Sequence, residues 1–104
     1  MNEREETLRY RIAKGFPADA ITSAIELCND FLIPRGDFEE AEFLLLEKIG
    51  LQTLKEGFIL ELTLGELYVK IQEIPRAKRF LEVAVKSGIE SIRMRAATVL
   101  EGLA

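Results

Sequence analysis

Few residues in this chain can do chemistry, and their types limit what it can be. Histidine is absent and cysteine occurs once, as Cys28. There is therefore no imidazole base, no His metal ligand, no disulfide within the chain and no Cys-rich zinc site. Cys28 lacks a His partner and falls at an apolar helical position, so it reads as a buried, inert thiol. Glu39, Glu40, Glu42 and Glu47 offer carboxylates for acid–base work or a metal, but they sit at a helix start and on its solvated side. No glycine-rich loop accompanies them. The chain is expected not to be an enzyme and to need no cofactor, metal or small-molecule substrate. Arg76, Lys78, Arg79, Lys86, Arg93 and Arg95 form a basic cluster of the kind that meets nucleic acid. Only one aromatic, Phe80, interleaves with it, and the formal charge of −4 opposes a polyanionic partner. Arg35-Gly36-Asp37 spells a tripeptide known as a cell-adhesion ligand on mobile extracellular loops. Here it stands between Pro34 and a leucine-rich helical stretch, where a tight turn and a helix cap are its expected roles.

The elements that position these residues are helical throughout. In 104 residues, 48% are hydrophobic and 31% charged, which suits a folded domain with a modest core. No apolar run approaches the roughly 18 residues of a membrane span. The N-terminus has no apolar core like that of a signal peptide, so a cytoplasmic location is expected. Charge is uneven: residues 1–66 carry 14 acids and 7 bases, and residues 67–104 carry 4 acids and 7 bases. Such polarity fits a partner of mixed charge, head-to-tail self-association, or simply solvated helix faces.

A short helix is read over residues 3–14, with Leu8 and Ile12 as a weak stripe and Gly15 as its end. Pro17 opens the next, whose face is Ile21, Ala24, Ile25, Cys28, Phe31 and Leu32, and which Pro34 and Gly36 stop. Asp37 with Glu40 reads as a capping box for a helix running to Ile49, with Gly50 as a left-handed stop. Thr53 with Glu56 reads as a second capping box, for a helix over Leu54–Gln72 that is apolar on nearly every side and so should be covered on every side. Pro75 opens a helix with Ala77, Phe80, Leu81 and Ala84 on one face, and Gly88 follows it. A last helix, Glu90–Leu103, carries Ile92, Ala96, Val99, Leu100 and Leu103. Six helices with short links make neighbours antiparallel, and no strand pattern is present.

Leu64 to Ala84, "LGELYVKIQEIPRAKRFLEVA", resembles a tetratricopeptide repeat. Leu64, Gly65 and Tyr68 match the first-helix pattern of that family, and Ala77, Leu81 and Ala84 match the second. The physical logic is that Gly65 and Ala77 let two helices approach while Tyr68 and Leu81 fill the gap. A second copy lies 36 residues upstream, carried mainly by Gly36–Ala41, "GDFEEA". There Cys28, Asn29 and Leu32 stand for Leu64, Gly65 and Tyr68, and Ala41, Leu45 and Lys48 stand for Ala77, Leu81 and Ala84. Asn29 and Lys48 depart from the usual glycine and alanine. The resemblance implies an all-α fold, a right-handed stack of antiparallel helical hairpins. It would form one domain over residues 1–104: an N-terminal helix in 1–15, repeats at 22–55 and 58–91, and a capping helix at 90–103.

The resemblance also implies a protein–protein interaction module, holding a peptide or helix of another protein in a concave groove, as adaptors, assembly factors and secretion chaperones do. By carry-over that groove is lined by Ser23, Glu26, Leu27 and Asp30, then by Ile59, Leu62, Thr63, Glu66 and Val69, with Arg93 from the last helix. Leu27, Ile59, Leu62 and Val69 lie off the core stripes, so they need either a partner or cover from within the chain, which helix 3–14 could supply by folding across. Glu26 and Asp30 stand where arrays that grip acidic chaperone tails place Lys and Asn, which argues against that subclass. Two other readings stay open: a self-associating structural protein whose homodimer buries the groove, and a small nucleic-acid-binding regulator.

Overall fold

A computed structural model describes residues 2–104. Among them are six helices and no strand. They are α1 (Glu3–Lys14), α2 (Pro17–Leu27, continued by a wide π-helical turn Cys28–Leu32 and a last turn Ile33–Arg35), α3 (Phe38–Ile49), α4 (Ile59–Lys70), α5 (Ile74–Ala84) and α6 (Glu90–Leu103). No helix among the described residues is long and apolar enough to cross a membrane. The chain divides into two compact units, Met1–Gln52 and Thr53–Ala104.

In the first unit α2 packs against both α1 and α3. Its buried face is Ala20, Ile21, Ala24, Leu27, Cys28 and Leu32, which meets Leu8, Ala41 and Leu45 in the unit's core. Pro34 does not stop α2; it widens it. Proline has no N–H to give the carbonyl four residues back and its ring crowds that carbonyl, so the helix opens by one residue per turn. The Ile33 N–H accordingly reaches the Cys28 carbonyl, five residues back. Gly36, at φ 86°, makes the stop that Pro34 does not. Asp37 is the N-cap of α3 by position, but its side chain makes no cap hydrogen bond, so the capping box with Glu40 does not form. Gly50 is right-handed, at φ −65°, and is not the left-handed stop its type suggests.

Glu40 is drawn elsewhere. Arg9 of α1 donates to it at 2.7 Å, and Arg9 and Arg35 both donate to Glu5, the latter at 2.6 Å. Glu5 is 2% exposed. A buried carboxylate is tolerable only when paired, and this one has two guanidinium groups. The network ties α1 to the end of α2 and the start of α3, which matters because Leu8 is the one apolar residue α1 buries. Arg35 chiefly holds the Glu5 carboxyl below its ordinary 4.5, and Arg9 does the same for Glu40. Both groups therefore stabilise the fold fully above that value, and the contribution is lost as pH falls through their depressed folded values. Glu5→Gln should lower the melting temperature at neutral pH and flatten its decline below about pH 4.5, as followed by circular dichroism. An unchanged acid-side slope would show that Glu5 carries none of it.

In the second unit α5 packs between α4 and α6. Thr53 accepts from the Lys55 N–H and donates to Glu56, but this cap serves a single 3-10 turn, Leu54–Glu56. Gly57 and Phe58 then follow with φ of 59° and 63°, so α4 begins at Ile59 and not at Leu54. A β-carbon at Gly57 would stand 2.6 Å from Ile89, so that turn needs glycine for space as well as for its dihedral. The covered helix foreseen in the sequence is found: Leu60 through Gly65, Leu67 and Tyr68 are all buried. Gly65 lies where α4 and α5 cross, with Leu81 and the Ala77 carbonyl against it. Tyr68 stacks on Phe80 with ring centroids 5.5 Å apart.

Candidate functional site

The acidic face of α2 is the site that the structure assembles. Asp19, Ser23, Glu26 and Asp30 recur at intervals of four, three and four residues, which aligns them on one side of the helix. The wide turn that Pro34 enforces contains Asp30 and Phe31. Wide turns of this kind often re-aim functional side chains.

Arg4 of α1 occupies this face. Its guanidinium donates to Asp30 at 2.7 Å and to Glu26 at 3.2 Å, and its Cζ lies 5.5 Å from the centre of the Phe31 ring. Two carboxylates and an aromatic ring thus hold one cation, which is a complete recognition set for arginine. The Asp30 and Glu26 bonds hold Arg4 still more firmly in its charged form. The side chains are about half exposed, at 54% for Arg4 and 45% for each acid. Water and salt therefore weaken the pairs. Beside it lies a cleft of about 350 Å³ lined by Arg11, Gly15, Asp19, Thr22, Ser23 and Glu26. Arg11 is seven residues from Arg4 on the same face of α1, so α1 sets two bases against the acidic face of α2.

The residues expected to line a groove are divided by the structure. Glu26 and Asp30 come together on Arg4. Ser23 and Leu27 are buried, as are Leu62 and Thr63, whose hydroxyl is turned back to the Ile59 carbonyl at 2.8 Å. Leu27 and Leu62 are therefore covered within the chain and are not free to receive a partner. Ile59, Glu66 and Val69 are half-buried, and Arg93 is exposed. Glu66 accepts from Arg95 at 2.7 Å, and Arg93 donates to the Ser87 carbonyl at 3.1 Å. Arg4, Arg11, Asp19 and Phe31 were not foreseen. Their signal was the seven-residue spacing of Arg4 with Arg11 and of Asp19 with Glu26, which escapes notice while α1 is read by its weak apolar stripe alone.

Cys28 is fully buried, and its thiol bonds weakly to the Ala41 carbonyl at 3.8 Å. Burial, with the Glu40 charge a smaller cause, pushes this thiol up to about 12. At neutral pH it is protonated and unreactive. A thiol-specific disulfide reagent should therefore label the native chain only as fast as it opens, and label it at once in denaturant. Prompt native labelling would place Cys28 at the surface. Among the described residues no group of three or more acids or cysteines could hold a metal ion.

No family model, no curated protein and no solved structure matches this chain.

Proposed function

We propose that this chain is a protein-interaction module of the tetratricopeptide type, a right-handed stack of helical hairpins that binds a helix or extended segment of another protein. The close crossing of α4 and α5 at Gly65 supports the repeat reading, because it is the packing that the resemblance to that family implies. So does the burial of Cys28, Leu32, Ala41 and Leu45 in the first unit and of Leu64, Tyr68, Ala77 and Leu81 in the second. Asn29 departs from the pattern: it is exposed, whereas Gly65 is buried.

The observation that carries the functional reading is Arg4 seated on Glu26, Asp30 and Phe31. It displays the chemistry this face accepts: a guanidinium offered by a neighbouring helix. A partner segment bearing Arg or Lys would bind there, displacing Arg4 or lying beside it over the cleft at Asp19 and Ser23. The module would then serve as an adaptor, assembly factor or chaperone for a basic segment in the cytoplasm. Comparative affinity capture tests this. The wild-type chain should retain a partner that Glu26→Lys/Asp30→Lys loses, with both baits equally helical. If the two baits retain the same proteins, the acidic face is not the binding site.

A further inference from the structure

We infer that the outer face of α3 docks onto the outer face of α5 in a second copy of this chain. Phe43 and Leu46 stand three residues apart on α3 and are 68% and 43% exposed. Glu39 and Glu47 lie four residues to either side of Phe43, so both border its ring on the same helix face. The helix carries Glu39, Glu40, Glu42 and Glu47 against one base, Lys48, which is buried and reaches Glu47 at 3.2 Å.

What such a face receives is already displayed by Arg4, held by two carboxylates with its guanidinium over Phe31. Glu39, Phe43 and Glu47 repeat that set of groups on adjacent turns. Among the described residues, however, no arginine lies over Phe43. The matching cations are on α5, where Arg76, Lys78 and Arg79 face solvent with Glu82 as the one acid, and Lys86 follows just past the helix end. Lys78, Arg79 and Lys86 have no ion-pair partner among the described residues.

The two faces are complementary to each other and each repels its own kind. Two α3 faces would bring their carboxylates together, and two α5 faces their bases. The contact is therefore between unlike faces, with Arg79 over Phe43 and between Glu39 and Glu47. An association of this kind closes into a ring or runs on from copy to copy. One helix against one helix falls below the roughly 1,200 Å² of a stable interface, so the association is weak and sensitive to salt.

Sedimentation velocity over a concentration series tests it. At low salt the average mass of the wild-type chain should rise with concentration, and high salt should abolish the rise. Glu39→Lys/Glu47→Lys and Arg79→Glu/Lys86→Glu should each stay monomeric, because each then presents two faces of like sign. An equimolar mixture of the two should associate again, since each reversed face meets its complement. Phe43→Ser, which leaves every charge in place, should also reduce association, and it keeps the test open if a charge variant fails to fold. A wild-type mass that stays monomeric at every concentration in low salt would overturn the inference. So would variants that associate as the wild type does, or a mixture that remains inert.

Discussion

Leu62→Glu should sharply lower the thermal stability of this chain. Leu62 is 3% exposed and lies in the run Leu60–Gly65 of α4, every member of which is buried. The substitution removes a packed side chain, which alone costs about 2–5 kcal/mol, and adds a carboxylate with no arranged partner. The sum passes the ~4 kcal/mol that marks the most damaging single changes. For a domain of this size it corresponds to a fall in melting temperature of more than about 15 °C. The resemblance to the tetratricopeptide family implies the opposite expectation, that Leu62 lines a groove and that Leu62→Glu would abolish partner capture while leaving the fold intact. Circular dichroism melting separates the two. A variant that melts like the wild type would return Leu62 to the surface.

Gly65→Ala should cost about 2 kcal/mol, although alanine is the better helix former. On propensity the change gains about 1 kcal/mol. Against this, the new β-carbon would stand 2.6 Å from Leu81 Cγ and 2.7 Å from its Cδ2. Leu81 is itself fully buried, so it has no space to move into. Overpacking of a filled core costs about 1–3 kcal/mol, and here, where nothing yields, about 3, so the steric cost wins by about 2. The melting temperature should fall by about 8–16 °C. Trimming the obstructing side chain provides the control. Leu81→Ala should cost about 2–5 kcal/mol in the wild type and distinctly less in the Gly65→Ala background, because the two changes relieve each other. Additive losses, or a rise in melting temperature for Gly65→Ala, would mean that α4 and α5 do not touch there.

How much was legible in the sequence can be judged from particular residues. Gly15, Pro17, Gly36 and Pro75 marked helix ends correctly, because each acts on its own backbone and needs no distant partner. The all-apolar character of α4 announced its burial for a similar reason. A close approach at Gly65 and Ala77 was expected only through the family resemblance, and the Ala77 carbonyl and Leu81 do lie against Gly65. Asp37 with Glu40 looked like a cap and is not one. The Asp37 side chain makes no cap bond, and Arg9, from another helix, claims Glu40 at 2.7 Å. Gly50 and the start of α4 were misread because the local rule admits several dihedrals and the surroundings select one.

The sequence by itself determined the helical class, the number of helices and the burial of Cys28, all of which follow from local backbone preferences and apolar periodicity. Only the tertiary structure decided which charges meet. Nothing in the order of residues says that Arg4 will lie on Glu26 and Asp30, or that Arg9 and Arg35 will share Glu5. Helical periodicity reports the face on which a side chain stands. Its partner is set by how helices distant in sequence come to lie side by side, and ion pairs depend on separation in space. The turn at Arg35–Asp37 shows the difference. Its backbone role was evident from Gly36, whereas the widening at Pro34 and the use of Arg35 to neutralise a buried glutamate thirty residues away were not.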